Sequence, residues 1–296
     1  MFSDLSLGLD PSLVNKSFLE KIVMHPLMFK SRTRRSINLL IVALIFVSAM
    51  LGTAKAGDIA KRHVLGFSPD GTYFAFEEFG VQDGSGFPYS NIYITNTRSN
   101  SWVKGSPFRV LLKDETDADA LTLQHRLKTA RDQALSQADA SLKKYKISMA
   151  GDLLAHNPIS EVDRDPKKVT VFPGIDPYWQ KQQLTFRLSD MPIATKRCKD
   201  YGPEAQTGYS LSVEPSEGKS KILHKDARIP TSRGCPKRYA ISDIIKFEPK
   251  VAPSAKENKK EAVYIVLLQV FSYGFEGDDG RYLANSSWLP SLGVTN

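Results

Sequence analysis

HVLGFSPDGTYFAFEEFGVQDGSGFPYSNIYITNTRSNSWV, residues 63–103, decides the fold class. In Phe67-Ser68-Pro69-Asp70-Gly71 the proline presets one φ angle and Asp-Gly supplies a tight reversal. Val64-Leu65 before that turn, Tyr73-Phe74-Ala75-Phe76 after it and Asn91-Ile92-Tyr93-Ile94 beyond a glycine-rich loop are rich in β-branched and aromatic residues. The stretch predicts a meander of at least three antiparallel strands.

Downstream, residues 114–145 run without Gly or Pro, with acids at the start and Lys143-Lys144 at the end. That pattern predicts one long amphipathic helix lying on a sheet, with a modest stripe of Leu121, Leu127, Leu135, Ala138 and Leu142 and with Ala130, Ala134 and Ala140 between. Pro158, Pro166, Pro173 and Pro177 mark residues 158–180 as a connection or short edge strands. Further strands are expected over residues 183–188, 209–214, 222–229 and 239–247. Residues 248–261, EPKVAPSAKENKKE, have little to bury and are expected to form a mobile surface loop. AVYIVLLQVF, residues 262–271, is apolar throughout and predicts a central strand buried on both faces. The chain is thus read as mainly β with one long α-helix, an irregular antiparallel β domain over residues 57–290.

The FSPDG turn, the glycine-rich loop and NIYITNT resemble one blade of a periplasmic WD-repeat-like propeller, in which this turn is structural. No second SPDG occurs, so the expectation is a single propeller-blade-like N-terminal meander rather than a closed propeller. GFSPDGTYFAFEEFGVQDGSGFPYSNIYI at 66–94, IPTSRGCPKRYAISDI at 229–244 and VLLQVFSYGFEGDDGRYLA at 266–284 together resemble an uncharacterised family of predicted secreted bacterial proteins. The resemblance implies export and supplies no catalytic residue.

INLLIVALIFVSAML, residues 37–51, is shorter than the ~20 residues of a membrane span. Lys30, Arg32, Arg34 and Arg35 precede it and Gly52-Thr53-Ala54-Lys55-Ala56-Gly57 follows, with small residues at A-x-A spacing. These are the three parts of a secretory signal, expected to be cleaved between Ala56 and Gly57. Residues 1–56 are therefore an N-terminal extension plus cleavable signal peptide, and Met28 would open a leader of ordinary proportions as the true start. Arg34-Arg35 only brushes the twin-arginine pattern, so the general secretory route to the periplasm or beyond is preferred.

The net charge of +8 would invite a nucleic-acid reading. Half of that excess sits in residues 1–56, and the mature chain is mildly basic, with short clusters at Lys167-Lys168, Lys237-Arg238 and residues 256–260. No nucleic-acid partner is expected. Cys198 and Cys235 both fall in the exported part, where two cysteines suggest one disulfide; two buried thiols are the alternative.

His63, His125, His156 and His224 stand in separate segments, without HExxH, a nucleophile elbow, a P-loop or a dinucleotide fingerprint. No metal and no cofactor is expected. The acids Asp278-Asp279 with Glu276, and Asp70 with Asp83, read as turn chemistry rather than calcium loops. Aromatic residues beside loop glycines, Phe79, Phe87, Tyr89 and Phe275, are the candidate ligand or partner surface. The leading function is a non-enzymatic envelope protein that binds an envelope protein or glycan, with an envelope hydrolase or accessory subunit and a purely structural domain as alternatives. A cleft where His156 or His224 meets a carboxylate and a serine would favour the enzyme, and an aromatic-lined groove the binder.

Overall fold

The computed structural model describes residues 57–113, 120–175, 181–202, 206–249 and 261–290. The expected signal peptide, residues 1–56, lies outside them, as do residues 114–119 of the expected helix and 250–260 of the expected mobile loop.

The opening meander forms β1 (Lys61–Phe67), β2 (Tyr73–Val81), β3 (Pro88–Asn96) and the short β4 (Ser101–Trp102), paired antiparallel in that order, with β5 (Phe108–Leu111) also pairing β3. The SPDG turn closes through Asp70, whose carboxylate accepts from Ser68 Oγ at 2.6 Å and from Thr72 N at 3.0 Å. Gly71 there adopts a φ of 71° that other residues rarely take. The helix α1 (Ala120–Lys144) covers one face of this sheet. Ala130, Ala134 and Ala138 are fully buried at four-residue spacing, and their small side chains bring the helix down onto Ala75, Ile92 and Ile94. A narrow alanine stripe explains how so polar a helix docks.

β6 (Asp152–His156), β11 (Pro236–Phe247), β12 (Glu261–Tyr273) and β13 (Asp278–Pro290) make a second sheet in the order β13-β12-β11-β6. β7 (Lys168–Ile175), β8 (Lys181–Pro192), β9 (Thr207–Pro215) and β10 (Lys221–Lys225) make a third, ordered β10-β9-β8-β7. β12 carries the stack. Val263, Ile265 and Leu267 meet Phe67, Phe74 and Phe76 of the first sheet, while Tyr264, Val266 and Leu268 meet Phe186, Leu188 and Leu211 of the third. The apolar run at 262–271 is continuous because both faces are covered.

β7 is an edge strand, and Pro173 sits within its register shift between Val171 and Gly174, where a missing N–H does least harm. β10 stops at Lys225, short of the expected 229, because Asp226 turns its side chain inward to accept from Tyr209 N at 2.9 Å. The propeller-blade resemblance does not carry over to the architecture. The meander is the outer sheet of a three-sheet stack with a helix on its far face, not one of several blades arranged around a channel. Cys198, in a 3-10 turn at Lys196–Tyr201, is disulfide-bonded to Cys235.

Candidate functional site

The four aromatic residues expected to line a surface do not form one. Tyr89 corrects that expectation: it is 4% exposed, its hydroxyl donates to Asp58 Oδ1 at 2.9 Å, and the Arg281 guanidinium lies 4.7 Å from its ring centre. It is a core residue because strand alternation points it inward from the end of the loop. Phe79 is half-buried beneath Arg131, 3.8 Å from its ring, and Arg131 is held by two 2.8 Å hydrogen bonds to buried Glu77. Phe87, also half-buried, closes the turn opened by Gln82. Phe275 is 78% exposed and lies across Gly84, where a Cβ would meet its ring at 3.1 Å. The structure thus joins Phe275 to the loop that carries Phe87, and leaves Phe79 and Tyr89 to other contacts.

A cleft of about 430 Å³ opens elsewhere, along the edge strand β13 at Arg281–Ala284. One wall comes from the first sheet: Glu78, then Asn91, Tyr93 and Thr95 at alternate positions of β3, with Trp102 and Arg109 from its neighbours. Register places Arg109 opposite Asn91 and Trp102 opposite Thr95. The other wall comes from Tyr209, His224 and the segment Pro230–Arg233. The second sheet lies between the other two, and both reach past its edge strand to enclose the cleft.

The exposed edge of β13 is stoppered. Tyr282 N donates to Glu78 Oε2 at 2.7 Å and Ser286 N donates to Asn100 Oδ1 at 2.9 Å. Alternation turns the N–H and C=O of Ala284, midway between them, toward the same cleft. Glu78 also accepts from Asn91 Nδ2 at 3.0 Å and from the Tyr93 hydroxyl at 2.7 Å, so this buried carboxylate is fully engaged. Thr95, 3% exposed, has a hydroxyl with no hydrogen-bond partner.

Two of the three cleft arginines are bound to carboxylates behind the walls. Arg233 donates to both oxygens of Asp226, at 2.5 and 2.8 Å, and His224 Nε2 lies 2.8 Å from Asp226 Oδ1. Burial pushes the Asp226 carboxyl up, but the hydrogen bonds from His224, Arg233 and Tyr209 N outweigh it and hold the group well below the usual carboxylate range. Tyr239, buried above the same guanidinium, is pushed up to about 12, chiefly by burial. Arg281 is bound to the side chain of Asp58 and to its carbonyl. Arg109 is exposed and bonds the Tyr93 hydroxyl; among the described residues no carboxylate stands within ion-pairing distance of it.

His156 meets the buried Asp243 at 2.7 Å, but Arg62 clamps the same carboxylate and Ser242 Oγ donates to Asp243 rather than to the imidazole. At His224, Ser210 donates to the backbone carbonyl, not to the ring. Each histidine therefore shares its carboxylate with an arginine, His156 with Arg62 at Asp243 and His224 with Arg233 at Asp226, and neither has a serine on its imidazole among the described residues. No group of three metal-ligating side chains occurs among the described residues.

Sequence reasoning missed Thr95, Asn100, Trp102 and Arg109. The available signal was the alternation of Asn91, Tyr93 and Thr95, a polar stripe on a strand whose other face is apolar. No curated protein and no solved structure matches the chain. A family model does: the one described as predicted secreted protein (DUF2259) matches residues 75–287, and the chain belongs to that family of predicted secreted proteins.

Proposed function

We propose that the protein is an exported, non-enzymatic binding protein of the cell envelope whose ligand is a glycan held in the β13 cleft. The observation that carries this reading is the cleft itself: an indole 38% exposed at Trp102, a buried unpartnered hydroxyl at Thr95, and planar polar groups at Asn91 and Arg109 around one concavity. A sugar presents an apolar C–H face that can lie on an indole and hydroxyls that satisfy polar groups. A cleft of this size suits a small ligand rather than a folded partner, whose stable interface buries about 1,200–2,000 Å². An extended peptide adding to β13 is disfavoured because Glu78 and Asn100 already hold the edge amides on either side of Ala284. The arginine-clamped carboxylates beside His156 and His224 support binding over hydrolysis, since among the described residues no serine is placed to pass a proton to either ring.

Trp102→Ala is expected to weaken binding of soluble oligosaccharides by about tenfold while the unfolding midpoint stays close to that of the parent. Titration calorimetry against a set of neutral and acidic oligosaccharides measures it. Undiminished affinity would remove the cleft from the proposal, and the absence of any binding in the parent would leave the structural alternative.

The proposal includes export by the general secretory route, periplasmic residence and a mature start at Gly57. The basic, apolar and A-x-A segments before Gly57 support the export route, and a domain that includes residues 58–60 is supported by their pairing with β13: Gly280 N donates to Asp58 O and Ala60 N to Gly280 O, each at 2.9 Å. Asp58 itself is buried against Tyr89 and Arg281. Mass spectrometry of the exported protein is expected to find Gly57 first; a chain retaining residues 37–51 would contradict cleavage.

A further inference from the structure

We infer that the cleft selects a saccharide carrying an acidic group, a carboxylate or a phosphate ester, and that Arg109 is the specificity-determining residue that reads it. The inference rests on the glycan reading above and adds the charge of the ligand. Three guanidiniums line the cleft against a single lining carboxylate, Glu78. Arg233 and Arg281 are neutralised from behind by Asp226 and Asp58, and the oxygens of Glu78 are occupied by Asn91, Tyr93 and Tyr282 N. That leaves Arg109 as the cleft arginine whose charge has no carboxylate opposite it among the described residues. An exposed guanidinium beside a concavity offers a fork of donors matched to planar or tetrahedral oxyanions.

Register also orders these groups along β3. Arg109 stands opposite Asn91 and Trp102 opposite Thr95, and the four-residue step between those β3 positions spans about 13 Å. A disaccharide can place one ring on the indole, a hydroxyl at Thr95 and the acid at Arg109. Thr95 is the second, independent pointer to a ligand, because a buried hydroxyl left without a partner costs free energy that a sugar hydroxyl would recover.

The test uses matched pairs of probes that differ only in the acid: digalacturonic acid against galactobiose, and a phosphorylated disaccharide against its dephosphorylated form. With the mature protein at low salt, the acidic member of at least one pair is expected to bind about tenfold more tightly, the scale of one charge-assisted contact. The advantage should shrink in about 0.5 M NaCl, where exposed charges are screened. Which pair shows the preference separates a carboxylate from a phosphate. In Arg109→Gln the ratio within that pair is expected to fall to about one, and Arg109→Lys should restore part of it. Equal affinities within both pairs, or a preference that survives Arg109→Gln, would overturn the inference while leaving the glycan reading standing. Failure of every probe to bind the parent protein would overturn both.

Discussion

Asp226→Ala is expected to lower the unfolding free energy by about 3–5 kcal/mol, the cost of leaving a buried guanidinium without its counter-charge. Asp226 and Arg233 are almost fully buried, and the carboxylate also takes Tyr209 N and His224. Removing it orphans a cation, a backbone N–H and an imidazole at once. Arg233 lies 4.9 Å from the ring of Tyr209, so the aromatic wall of the cleft loosens with it. The double variant Asp226→Ala with Arg233→Met should recover much of the loss, because the stranded charge is then gone. Urea unfolding of the mature protein reads both variants; a loss under about 1 kcal/mol would mean that the guanidinium regains water through the cleft.

The same group gives the pH dependence a sign. The folded carboxyl titrates below the unfolded one, so its stabilisation is complete above the unfolded value, near about 3.9. It is lost progressively as pH falls below that value toward the folded one. Acid unfolding of the parent should therefore steepen below about pH 4, and Asp226→Ala should flatten that part of the profile.

What the sequence makes legible here is what depends on neighbours along the chain. AVYIVLLQVF at 262–271 announces burial on both faces because each residue's own hydrophobicity states it, and β12 is the middle layer of the stack. The SPDG turn is legible because Asp70 bonds Ser68 and Thr72, two residues away on either side. The cleft is not legible in this way. Its walls meet from Glu78, Thr95, Arg109, Arg233 and Tyr282, residues that only the stacking of three sheets brings together. Tyr89 misled for the same reason: beside loop glycines it looks like a surface ring, but its partners are Asp58 and Arg281, which no local pattern connects to it. The charge of the site is equally non-local, since Arg109, Arg233 and Arg281 look alike in sequence and differ only in whether a carboxylate stands behind them.

Breaking Cys198–Cys235, by Cys198→Ser with Cys235→Ser or by reduction, is expected to cost about 3–4 kcal/mol in the chain-entropy account of a loop of this length. The effect acts chiefly on the unfolded chain, which expands when the link is gone. The urea m-value should therefore rise along with the fall in midpoint, whereas Asp226→Ala should move the midpoint alone. The bond also has a local consequence. It ties the turn at Lys196–Tyr201 to Cys235, two residues beyond the turn Thr231–Arg233, and Arg197 Nη2 reinforces the tie by donating to Gly234 O at 2.8 Å. Ser232 and Arg233 form one wall of the cleft, so the covalent link holds that wall against the opposite one carrying Trp102. Oligosaccharide affinity should consequently fall on reduction under conditions where circular dichroism still shows a folded chain. Affinity that survives while stability drops would assign the bond to the unfolded state alone and leave Arg197 and Asp226 as the groups that shape the wall.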